Sequence, residues 1–157
     1  MVNEKRLKAL FFSVLFISCN SDIHIYENSV ISSPHPIASE TGKLIYSLGG
    51  NAFDAAVAAA FTLSVVEPTM SGIGGRLQAI YRKSDGLISG VDAMTQIPES
   101  FNNQDLDNLE SYGYKTIGIP GVVAGLLKLH SENGILDLET IMEPSIYIAE
   151  NGFIILP

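Results

Sequence analysis

The stretch GGNAFDAAVAAAFTLSVVEPTMSGIGG, from Gly49 to Gly75, decides how the rest of the chain is read. After the glycine pair, Asn51 offers a side-chain oxygen to the free amides of a helix start. Asp54, three residues on, places a second acceptor at the positive end of the helix dipole. From Ala52 to Val66 the residues are apolar on almost every side. The predicted helix is therefore buried on most faces, and its alanines admit neighbours at short range. A membrane span is the competing reading, but the run is about 15 residues long and contains Asp54, short of the roughly 20 that a bilayer crossing needs. Pro68 ends the helix, because the residue before a proline, here Glu67, is biased out of the helical region. A tight glycine turn, Ser71 to Gly75, follows.

Upstream, Ile37, Thr41, Leu44, Ile45 and Leu48 recur at helical spacing, and Gly49 follows as a left-handed stop. Residues 34–157 read as one organised segment, and the polar residues 20–33 before it as a tether or a first short strand. Lys5, Arg6 and Lys8 precede an apolar run from Ala9 to Ile17, which makes residues 1–19 a predicted secretory signal. Cys19, the single cysteine, sits where a bacterial lipoprotein carries its lipid, and FISC resembles a lipobox with Phe16 in place of the usual Leu. The bland alternative is an apolar N-terminal helix that buries Cys19. The run is too short to span a membrane, so contact with a membrane is expected only through a lipid anchor. The localisation predicted is periplasmic or cell-surface.

Downstream, Leu77 to Tyr81 and Leu87 to Val91 read as two strands joined at Ser84-Asp85-Gly86. Two registers are open. A three-residue loop places Arg76 opposite Met94, whereas a two-residue loop places Leu77 there and turns Arg76 to the other face. Residues 99–113 are acidic and Asn-rich and read as a surface loop. An apolar helix follows Gly118-Ile119-Pro120-Gly121 and runs to His130, with a stop at Asn133-Gly134. A last helical pattern spans Leu136 to Asn151. Pro144 interrupts it and suggests a fresh helix with proline in its first turn.

With 46% hydrophobic and 17% charged residues among 157, and a net charge of −8, the chain buries a core and lacks the clustered cations that a nucleic-acid surface requires. Chemistry-bearing residues are few. Ser71 lacks the flanking glycines of a nucleophile elbow. His24, His35 and His130 are isolated and read as structural or exposed. No spacing fits a metal site, and neither a metal nor a cofactor is expected. The glycines Gly72, Gly74 and Gly75 suggest a phosphate loop, but they precede a strand, whereas a dinucleotide fingerprint follows a strand and opens a helix.

Three ordered segments carry a resemblance: HPIAS at 35–39, the Gly49–Gly75 stretch, and GIPGVVAGLLKLHSENGILDLETIMEPSIYIAENGF at 118–153. Together they resemble the N-terminal part of the large subunit in the gamma-glutamyltranspeptidase, or glutathione hydrolase, family. The residues that carry the likeness include Gly50, Asn51, Asp54, Glu67, Pro68, Ser71, Gly72, Gly74 and Gly75. The resemblance implies an α/β (α+β) class and a partial N-terminal nucleophile hydrolase fold, an αββα sandwich that this chain leaves incomplete. It implies acyl transfer on an N-terminal Thr produced when a precursor cuts itself. The expected partners are the remainder of the large subunit and the small catalytic subunit, and the expected substrate is a small gamma-glutamyl or related amide. No catalytic residue is expected within this chain, because Thr62, Thr69 and Thr95 all precede the family's cleavage point. Two departures stand out. Arg76 and Leu77 replace glycines, and Met94 occupies the position of the Arg that in the family holds the substrate carboxylate. Arg76 is therefore a candidate substrate-binding residue.

Overall fold

The computed structural model describes residues 28–99, 101 and 112–156. The predicted signal, Cys19, His24 and most of the acidic stretch lie outside the described residues. Residues 28–33 form no strand, yet Ile31 is partly buried against the core.

Helix α1 spans Pro36–Ser47 and begins at a histidine cap, with His35 Nδ1 accepting from the Ile37 amide at 3.2 Å. It ends as expected at Gly49, whose φ is +89°. The Gly49 amide donates to Tyr46 O and the Gly50 amide to Ile45 O, the paired bonds that close a left-handed helix end. Its buried face differs from the one its hydropathy suggests. Ala38, Thr41, Gly42 and Ile45 are buried, while Leu44 and Leu48 are 45% and 52% exposed. Small side chains explain the difference: a Cβ on Gly42 would meet Ile31 and lie 3.4 Å from Ala55 O, so backbones approach there more closely than leucines would permit.

Helix α2, Ala52–Val66, is the centre of the molecule. Its alanines pack against α1, α4 (Val122–Asn133) and α5 (Leu138–Asn151). The Thr62 hydroxyl, fully buried, donates to Thr41 Oγ1 at 3.1 Å, so the one polar pair between α1 and α2 is satisfied rather than stranded. Pro68 ends α2 as predicted and opens a single-turn helix, α3 (Pro68–Ser71), that the sequence reading had merged into the turn. The Ser71 amide donates to Glu67 O at 2.8 Å.

Strands β1 (Leu77–Arg82) and β2 (Ile88–Ala93) form an antiparallel hairpin in the three-residue-loop register, with Leu77 opposite Ala93 and Arg82 opposite Ile88. The Lys83 amide donates to Leu87 O at 2.9 Å, Gly86 has φ +91°, and Asp85 Oδ1 accepts from the Leu87 amide. The second strand therefore runs two residues beyond the predicted end at Val91. Leu77, Ala79, Tyr81, Val91 and Ala93 face the core, and Tyr81 meets Phe53 of α2 edge-on at 5.2 Å. The other face is open, with Ile80 and Ile88 at 87% and 67% exposure.

Glycines seat α4 on the hairpin. A Cβ on Gly121 would strike the Ala93 carbonyl oxygen, and one on Gly125 would lie 2.9 Å from Leu77 Cδ2. Helix α5 corrects the reading of Pro144: there is no break, and the proline lies inside one continuous helix. A proline there removes the bond to the Thr140 carbonyl and costs about 3 kcal/mol in an unsupported helix. Ile141, fully buried, and Ser145, nearly so, fix the same face of α5 against α2 on either side of it, and Asp137 caps the helix start through the Thr140 amide at 2.8 Å. That hydrogen bond holds the Asp137 carboxyl below its ordinary pKa.

Candidate functional site

Two features collect the chain's polar groups. The first is a buried node where α2 starts. Asn51 Oδ1 accepts from the amides of Phe53 (2.8 Å) and Asp54 (3.1 Å), and Asp54 Oδ2 accepts from the Asn51 amide at 2.9 Å. This reciprocal box is the cap that the sequence predicts. It also reaches far along the chain. Asn51 Nδ2 donates to Asn133 O at 2.7 Å, and the Ile135 amide donates to both Asp54 oxygens at 3.1 and 3.2 Å. His130 donates from Nε2 to Leu136 O at 2.9 Å, with the same nitrogen 3.6 Å from Asp54 Oδ1. Asp54 is fully buried, so its carboxylate is solvated by backbone amides and by His130 instead of water. Gly50 is held in the same knot: a Cβ there would lie 2.6 Å from Ile45 Cγ2 and 2.9 Å from Leu136 Cδ1. The node joins α2 to the α4–α5 connection and leaves no open face for a substrate. Gly50, Asn51 and Asp54 act here as framework.

Sequence reading missed His130 and His35 as parts of that framework. His130 meets Asp54 only through tertiary packing, so no local spacing announces it. His35 stands directly before Pro36 at the first helical position, the place of an N-cap, and that signal was available.

The second feature is an open depression of about 570 Å³ between α2, α3 and β1. Pro68, Thr69, Ser71, Gly72, Gly74, Gly75 and Arg76 line one side, and Ala60, Leu63, Leu77 and Val122 supply an apolar floor. Arg76 is the one ionisable side chain lining it. The turn above it is fixed by two contacts. A Cβ on Gly72 would lie 2.6 Å from the Pro68 carbonyl oxygen. Gly75 O accepts from the amides of Gly121 and Val122 at 3.1 and 3.3 Å, so the start of α4 pins the residue before Arg76. Glu67 is half-buried beneath the turn.

The ladder ends at Leu77 opposite Ala93, so Arg76 and Met94 are the next positions on the two strands. They nevertheless open onto different depressions. Met94 lines a smaller one of about 280 Å³ with Asp92, Gln96 and Lys128, and Arg76 lines the larger. Among the described residues, no cluster of His, Cys, Asp or Glu could hold a metal ion, and no helix is long and apolar enough to cross a membrane.

The comparison with known proteins agrees with this frame along its length. The family model for gamma-glutamyltranspeptidase matches residues 38–157. The chain belongs to the gamma-glutamyltranspeptidase family. It is 35% identical over 143 residues to an acylase ACY 1 proenzyme of Pseudomonas sp. strain V22, covering 82% of this chain and 25% of that protein. It is 32% identical over 141 residues to the glutathione hydrolase proenzyme of Bacillus subtilis strain 168, covering 83% of this chain and 24% of that one. The solved structure of gamma-glutamyltranspeptidase from Helicobacter pylori superposes with a TM-score of 0.74 at 34% identity, over 83% of this chain and 40% of that chain. The mixed helix and sheet architecture is thus part of a gamma-glutamyltranspeptidase fold. The chain spans about a quarter of the length of the curated relatives it matches.

Proposed function

We propose that this chain supplies the N-terminal segment of an N-terminal nucleophile hydrolase that cleaves or transfers gamma-glutamyl groups from glutathione-type substrates. The observation that carries this reading is the family match from Ala38 to Pro157, which runs in register with the capped helix, the glycine turn and the glycine-seated α4. In this account the nucleophile is the Thr at the N-terminus of a second chain cut from the same precursor. Its hydroxyl attacks the gamma-carbonyl while its own amine takes the proton. The substrate amine leaves, and water or an amino acid then releases the acyl group. The described segment contributes the helical layer and a hairpin on which the remainder of the large subunit and the small subunit assemble. No cofactor enters the scheme.

Met94 favours a second reading, in which the fold persists as a binding lipoprotein without catalysis. A methionine cannot form the bidentate charged pair that an arginine makes with a carboxylate. Processing separates the two. As an enzyme, the gene product appears on a denaturing gel as two chains, the smaller beginning with Thr. A single uncut chain would leave only the scaffold.

We also assign residues 1–19 as a lipoprotein signal, which places the protein outside the cytoplasm with Cys19 as its lipid-bearing N-terminus. Cys19→Ala is expected to abolish the lipid adduct in the intact mass. A mature wild-type protein that retains Met1 would refute the assignment.

A further inference from the structure

We propose that the depression beside the Gly72–Gly75 turn is a carboxylate-binding subsite with Arg76 as its anchor. Its lining offers donors and no competing anion. Arg76 brings a guanidinium, and Thr69 and Ser71 bring hydroxyls. The amides of Gly72 and Gly74 have no acceptor among the described residues. On a chain with a net charge of −8, a concave surface without one acidic side chain selects for acceptor-rich, negatively charged ligands.

The charge count sets the class. One guanidinium neutralises one negative charge and matches the planar fork of a carboxylate. A phosphate dianion would keep half its charge unpaired. The floor of Ala60, Leu63, Leu77 and Val122 accommodates the short carbon chain attached to that carboxylate. The volume, about 570 Å³, lies in the range of small-molecule sites, roughly 300–1,000 Å³.

Arg76 is also held ready. Its neighbours on either side are fixed, Gly75 by the start of α4 and Leu77 by the hairpin ladder, so little backbone freedom is lost on binding. That the bound carboxylate belongs to an acyl donor rests on the acyl-transfer reading above. The binding itself does not, because every lining residue lies in this chain.

The test titrates the 157-residue chain with glutarate, with neutral glutaramide and with inorganic phosphate, following the arginine Nε–H signals by NMR. Expected are saturable glutarate binding and, for glutaramide or for Arg76→Gln with glutarate, affinities about tenfold or more weaker, the loss of one charge-assisted pair. Arg82→Gln, on the exposed outer face of the hairpin, is expected to leave binding unchanged. Absence of saturable glutarate binding, affinity unaltered in Arg76→Gln, or phosphate binding as tightly as glutarate would each overturn the assignment. None of these outcomes depends on a downstream Thr, so the subsite and the acyl-transfer reading fail separately.

Discussion

Replacing Asp54 with Ala is expected to destabilise the chain by about 3–5 kcal/mol, a large share of the roughly 5–15 kcal/mol typical of a whole domain. The substitution strands the amides of Asn51 and Ile135, which both donate to this carboxylate, and takes away the acceptor beside His130. It also opens a void where nothing is exposed to water. Asp54→Asn keeps the volume but turns one acceptor into a donor facing another donor, so it is expected to lose about half as much. Urea denaturation followed by circular dichroism in dilute solution measures both. A loss below about 1 kcal/mol for Asp54→Ala would mean that the node is solvated by water rather than closed.

The second large effect is on activity. The 157-residue chain by itself is expected to release no p-nitroaniline from gamma-glutamyl-p-nitroanilide above a heat-killed control. Loss of a nucleophile in acyl transfer costs on the order of a millionfold in rate. The candidates within the chain are badly placed to substitute. Ser71 ends a single helical turn with its amide bonded to Glu67, and no histidine lines its depression. Thr62 is fully buried and bonded to Thr41. Turnover by this chain would show that a side chain described here is the nucleophile after all.

The parts of the fold legible in the sequence are those written in local chemistry. Asn51 and Asp54 announce their cap because a capping box is a three-residue device, and Gly49 announces the end of α1 because only glycine adopts its φ cheaply. The hairpin loop was legible down to two registers. Asp85 and Gly86 chose between them, through a side-chain bond to the Leu87 amide and a left-handed glycine.

What failed was decided by tertiary packing. Hydropathy marks Leu44 and Leu48 as the inner face of α1, yet close approach to α2 is made through Ala38 and Gly42, where small volume matters more than apolar area. Pro144 reads locally as a helix start. The burial of Ile141 and Ser145 on one face overrides that preference. His130 looks isolated because its partners, Asp54 and Leu136, are brought to it by the packing of α2 and the α4–α5 turn. The depression beside Arg76 was legible only as an expectation about one arginine, since its walls come from α2, α3, β1 and the start of α4.

The central claim is that this chain builds a frame for chemistry carried by a residue outside it. The most direct measurement is to quench the complete gene product in acid during turnover of gamma-glutamyl-p-nitroanilide and to locate the gamma-glutamyl adduct by peptide mapping. The account predicts the adduct on a Thr at the N-terminus of a second chain, with every peptide from residues 1–157 unmodified. An adduct on Ser71, or on any other side chain within those residues, would contradict it.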